Sequence, residues 1–333
     1  MIPISSSVKL SWFRNATFLT GNPVPPTGAI SIDTDFKGRT FVPPLYTFTS
    51  HTFTNCGQIG MTGPTLTTCT GSAPGYGTGS NWWNNQTFFD VTGPVNGIQK
   101  WKVPKDGNYE IDAYGARAEA IGTVQGGHGA RIKGTVQLTK GEWIHILVGQ
   151  IGYNDPSCSA GGGGTFVIKT PYNSNASILI IAGGGGGVEA GVTPYGGVIG
   201  KSGGAYTSYG GAQGGTNGYG GIAGHGQPGA GFLGDATGSF AHGGTAAKGF
   251  VNGGKGGDHA YDGGFGGGGG CQYICTGGGG GYSGGASGDS HGSNSPNGHG
   301  AGGGGSYYDN ATNVFTWSNN NNGPGKVIIT FIP

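Results

Sequence analysis

Five uninterrupted glycine runs, Gly161–Gly164, Gly183–Gly187, Gly266–Gly270, Gly277–Gly281 and Gly302–Gly305, restrict what this chain can fold into. Glycine loses more backbone entropy on ordering than any other residue, about 0.5–1 kcal/mol beyond alanine in regular structure. Abundant glycine without a strict period usually marks low complexity. Here 58 of the 81 glycines fall within residues 151–306, so the bias belongs to one zone. An ordered alternative exists. Glycine chains can adopt a threefold polyglycine II helix with no internal hydrogen bonds, and its backbone groups then bond laterally to neighbours that no Cβ holds apart. Each run is long enough for a helical turn. Apolar residues such as Tyr195, Tyr206, Phe232, Phe240, Phe250 and Tyr282 lie between the runs, and only 9% of the chain is charged. The reading is a packed polyglycine II bundle over about residues 159–306, with Gly268 and Gly279 at central scaffold positions.

Around this zone the sequence alternates with period two. Tyr109–Ala113 and Ile132–Leu138 have one apolar and one polar face, while Ile144–Val148 reads as a more buried strand. Thr165–Lys169 and Ser177–Ile181 are strand candidates before most of the glycine, and Lys326–Ile332 is a strand after it. The fold class is therefore all-β with no substantial α-helix. A scaffold over 46–158, 165–182 and 323–333 receives the glycine zone as an insertion whose two ends meet.

Residues 1–45 read as a separate extended arm. Ile4-Ser5 with Val8–Arg14 resembles Ala29–Asp33 with Phe36–Gly38, and Asn22-Pro23-Val24-Pro25-Pro26 between them favours polyproline geometry. Such a segment has no core of its own and is expected to dock on a partner. The opening Met1–Ser5 lacks a basic start and apolar core, which argues against a secretory signal. No aliphatic run is long enough to cross a bilayer. A net charge of +1 with scattered Lys and Arg gives no field for nucleic acid.

Five cysteines leave at least one without a partner in the chain. Cys56 with Cys69 closes a loop of a size that favours a disulfide. Cys271 with Cys275 could pin a hairpin between two glycine runs, leaving Cys158 over. No second close pair of Cys or His completes a zinc tetrahedron. Asp258, His259 and Asp262 form the one small cluster of His and carboxylates, read as a solvated loop. No convergent set of acids, bases or metal ligands points to an enzyme, and no cofactor is expected.

Binding is the better expectation, because loops on a rigid scaffold carry recognition. The candidate contacts are Phe232, Phe240, His242, Phe250, His259, Tyr261 and Tyr273, in or near interruptions of the glycine zone. For the aromatics among them, packing between glycine helices competes with contact to a partner. Trp82-Trp83, in an Asn-rich loop, is equally open to packing or exposure.

Several stretches resemble the extracellular glycine-rich domain of the anaplastic lymphoma kinase receptors. They are Phe53-Thr54-Asn55-Cys56-Gly57, Gly63-Pro64-Thr65 with Cys69, Ile98–Pro104, Tyr109–Ala116, Ile146–Gly152, Ile180–Gly185, Gly263–Gly270 and Cys275–Gly285. The resemblance runs in order across residues 50–333. It implies an antiparallel β-sandwich of jelly-roll or TNF-like type with an inserted polyglycine II bundle, and carries over no ligand-contact residue. The arm resembles short repeats of phage virion proteins. Arm and bundle together suggest a phage tail fibre or tip adhesin. It would be made in the host cytoplasm, be anchored to other tail proteins through residues 1–45, be homo-oligomeric in the particle, and bind a host glycan or protein. The alternatives are a purely structural virion protein and a secreted receptor-like module.

Overall fold

A computed structural model describes residues 43–91, 97–154, 156–189, 195–205, 212–238, 243–272, 275–288 and 300–333. The arm up to residue 42 lies outside them. Among the described residues, ten strands form two antiparallel sheets. In chain order they are β1 (Ser50–Thr54), β2 (Phe89–Asp90), β3 (Gln99–Lys102), β4 (Gly107–Tyr114) and β5 (Gly129–Leu138). These are followed by β6 (Trp143–Leu147), β7 (Thr165–Lys169), β8 (Ile178–Ala182), β9 (Thr312–Asn321) and β10 (Lys326–Ile332). The first sheet has the order β1-β10-β4-β5-β9 and the second β2-β3-β6-β7-β8. A short α-helix, α1 (Leu66–Thr70), starts at a capping box in which Thr65 and Thr68 exchange side-chain-to-backbone bonds.

The alternation seen in the sequence sorts side chains between faces. In β5 the even-numbered residues from Ala130 to Leu138 are buried, while Arg131, Lys133 and Thr135 are half-buried and Gln137 is exposed. The inner faces of both sheets meet over Phe53, Trp101, Tyr109, Ile111, Ile132, Ile180 and Val327. Burying a side chain of this size stabilises by roughly 1.5–3 kcal/mol, so this layer supplies the main driving force of the sandwich. α1 brings Cys69 to Cys56, and the two form a disulfide with Cα atoms 5.0 Å apart.

The second sheet is covered on its other face as well. Phe166, Ile168, Ile178 and Ile181 pack against Phe232, Phe250, Phe265, Tyr282 and Tyr307 from the glycine zone. This explains why β8 is buried at every residue. The last strand joins β1 and β4 rather than the strands beside the glycine zone. Ile181 of β8 and Tyr307, just after the last glycine run, exchange a pair of backbone bonds of 2.8 and 3.0 Å.

The glycine segments run on directly from the strands. Gly161–Gly164 leads into β7 and Gly183–Gly187 leaves β8. Their backbone bonds are lateral and repeat every three residues. Gly277 donates to Ser159 and Gly280 to Gly162; Gly278 donates to Gln227 and Gly281 to Ala230; Gly279 donates to Gly302 and Tyr282 to Gly305. The same segment accepts from Gly187 at Gly277 and from Gly184 at Gly280, again three residues apart. Buried backbone groups are thereby satisfied without a sheet. At Gly266 and Gly267, φ is 103° and 79°, so the turn there requires residues without a Cβ.

Candidate functional site

The far end of the glycine array is a ring of turns held by backbone bonds. Ser159 donates to Val188 and Gly277 donates to Ser159. Gly288 donates to Thr276, and Gly226 to Gly288. The Gln227 side chain donates to the Asp258 carbonyl at 3.1 Å, and Asp258 exchanges bonds with Thr245. Tyr261 pairs with Cys271, and Tyr153 donates to Asp262. Gly183–Gly187 runs from the end of β8 to this ring, where Gly187 donates to Gly277 and Ala301 donates to Gly187.

Of the expected contacts, His259 and Tyr261 lie in this ring. His259 is 9% exposed, and Tyr261 is half-buried against Cys158, Ala160 and Cys271. Burial first and the Asp258 carboxylate second push the Asp262 carboxyl above the ordinary carboxylate range. Among the described residues no group of three His, Cys, Asp or Glu is arranged to hold a metal. No described helix is long and apolar enough to cross a membrane.

Two expected contacts are corrected. Phe232 and Phe250 are 0% and 1% exposed and cannot reach a partner. Their rings stack on each other at 5.5 Å, and Phe250 stacks on Phe166 of β7 at 5.1 Å. They seal the array onto the second sheet. Phe240, His242 and Tyr273 lie outside the described residues. The Cys271–Cys275 pairing is also corrected. Both residues are buried, and they are not joined to each other. Gln272 and Cys275 close the turn by backbone bonds, while Cys271 packs toward Cys158 and Ala160. Gly268 and Gly279 sit inside the array. A Cβ on either would fall closer than 3.0 Å to a backbone oxygen, of Gly161 and Gly184 respectively.

Trp82 and Trp83 pack rather than protrude. With Phe53 and Tyr76 they surround the His51 ring, at centroid distances of 4.7 to 5.2 Å. Burial in this nest pushes the His51 pKa down to about 4. The surface aromatics Tyr153, Tyr219, Phe315 and Trp317, which are 42%, 58%, 57% and 37% exposed, were not among the expected contact residues. For the last two a short signal existed, because Phe315, Thr316 and Trp317 alternate apolar with polar.

Fold and array together define an all-β protein with a glycine-rich insertion laid on one sheet. No family model matches the chain. The mouse leukocyte tyrosine kinase receptor, of the anaplastic lymphoma kinase family, is similar, at 35% identity over 120 residues. That region is 35% of this chain and 12% of the receptor's length. The similarity supports the glycine-rich resemblance and does not bear on the phage likeness of the arm.

Proposed function

We propose that this chain is a non-enzymatic binding module in which a polyglycine II bundle serves as a rigid scaffold presenting turns at its far end. One observation carries the reading: the lateral backbone bonds of Gly277–Tyr282 return to the same neighbouring segment at every third residue. That is the repeat of a threefold helix with outward-pointing backbone groups. A scaffold of this kind keeps its turns in fixed relative positions at small entropic cost to binding. Tyr261 and the flanking turns of the ring are the contact surface.

The finer reading is a virion tail adhesin anchored by residues 1–45, and it rests on the repeated pieces of the arm. The second reading is a receptor-like extracellular module, favoured by the similarity to the mouse receptor. Immunogold labelling of purified particles and of cells making the protein separates them. Label at the tail periphery supports the adhesin. Label confined to cell surfaces supports the receptor-like module. For the adhesin, deleting residues 1–45 is expected to leave a folded protein that no longer enters particles; normal incorporation of the truncated chain rejects the anchoring role.

A further inference from the structure

A second surface lies away from the far-end turns, on the outer face of the first sheet. β9 is the terminal strand of that sheet, and its Trp317 stands opposite Arg131 of β5. Arg131 stands opposite Tyr114 of β4, and Tyr114 opposite Lys326 of β10. These four residues form one row across the sheet in which rings and cations alternate. The Arg131 guanidinium lies 4.4 Å from the Trp317 ring centre and 4.9 Å from that of Tyr114, and the Lys326 ammonium lies 4.4 Å from Tyr114. Beside Trp317, two residues along the strand, Phe315 holds its ring within 20° of parallel, with centroids 6.3 Å apart.

An isolated exposed aromatic needs no explanation, but this pair is held in place. Asp112 takes the Arg131 guanidinium in two bonds of 3.0 and 2.8 Å, fixing the plane on which Trp317 rests. Lys133, opposite Phe315, is bonded to Glu110 at 2.9 Å. A rigid, nearly parallel pair of aromatic faces therefore sits in a surface whose charges are largely closed on one another. Arg131 and Lys133 each have a carboxylate, and Lys326 rests on a ring.

We propose that Phe315 and Trp317 form a stacking platform for a neutral glycan. The C–H faces of successive sugar rings lie flat on aromatic faces, and pre-set rings lose little entropy in doing so. The Lys133–Glu110 pair offers a donor and an acceptor to hydroxyl groups at the platform's edge. Charge decides between occupants: an acidic glycan or a nucleic acid would demand free cations beside the rings, and the two cations nearest them, Arg131 and Lys133, are each paired with a carboxylate, while Lys326 lies at the far end of the row against Tyr114. This site does not depend on the far-end turns and stands or falls separately from them.

The test uses the full chain against a printed panel of neutral hexose and N-acetylhexosamine oligosaccharides beside sialylated and sulfated ones, followed by calorimetric titration of the best neutral binder. Expected are binding to neutral chains and about tenfold or greater weakening in Trp317→Ala and Phe315→Ala. Tyr219→Ala, an exposed aromatic elsewhere, is expected to leave affinity unchanged. Should the alanine variants misfold, oxidative footprinting of the unaltered protein reads the same contact, with Trp317 and Phe315 protected by the oligosaccharide. The proposal is overturned by absence of neutral glycan binding, by binding to acidic chains alone, by unchanged affinity in the double variant, by unprotected rings in the footprint, or by a self-association in sedimentation that the double variant abolishes.

Discussion

At the scale of single residues, the absence of a Cβ is what the glycine array depends on. At Gly279 a side chain would meet the Gly184 oxygen and the Gly304 nitrogen, both backbone atoms that cannot swing aside. Gly279→Val is therefore expected to destabilise by several times the surface norm of about 0.5 kcal/mol. Each buried backbone group left unpaired adds about 1–3 kcal/mol. Gly200, which is exposed and has only a distant Val198 carbon near its missing Cβ, is the control. Gly200→Ala should stay within the surface norm, and denaturant melts of the two variants check both expectations. His51 sets a pH limit. Its ring is held neutral by burial, with the pKa lowered from 6.5 to about 4. Above pH 6.5 both folded and unfolded states are neutral there and the residue adds no pH dependence. Between about 6.5 and 4 the unfolded state takes up the proton first, so stability falls as pH falls, and the loss is complete below 4. His145 carries a second depression to about 4, from burial first and Lys100 second. His51→Gln should flatten part of the slope in unfolding free energy measured from pH 7 to 4; a slope unchanged from the parent would remove His51 from this account.

At the scale of elements, the loop closed by Cys56 and Cys69 ties α1 to the end of β1, across a sequence separation of 13. Chain entropy assigns such a loop about 3 kcal/mol. Replacing both cysteines with serine should lower the unfolding free energy by about that amount, and a variant as stable as its parent would contradict the estimate. Strands with one wet face were legible in the sequence, because alternation marks β4 and β5 directly and the β-branched run marks β10. β9 was not, since its C-terminal half, Ser318–Asn321, carries no apolar alternation to report pairing. The misplacement of Phe232 and Phe250 has a different origin. Sequence shows that β8 and the middle of β7 are apolar, but does not show what covers their outer face. In the structure those two rings are the cover. Cys271 and Cys275 were misread for the same reason, since nearness in a turn says nothing of the directions in which the two side chains pack.

At the scale of the whole molecule, the sandwich and the array are joined both through the chain and by packing. Strands continue as glycine segments, the array lies on the second sheet, and the far-end turns inherit their positions from both. The far-end ring was only partly legible: His259 and Tyr261 stood out because they interrupt glycine, whereas the backbone bonds that join Ser159, Thr276 and Gly288 to their neighbours leave no signal in side-chain pattern. The central claim is that the glycine zone is a laterally bonded scaffold rather than a linker, and native-state hydrogen exchange at the amides of Gly277–Tyr282 tests it most directly. The account predicts strong protection at all six positions, lost cooperatively with the sandwich as denaturant is raised, because every one of these amides is buried and donates to a neighbouring segment. Exchange of these amides at the rate of an unstructured peptide, while β4 and β5 remain protected, would contradict it.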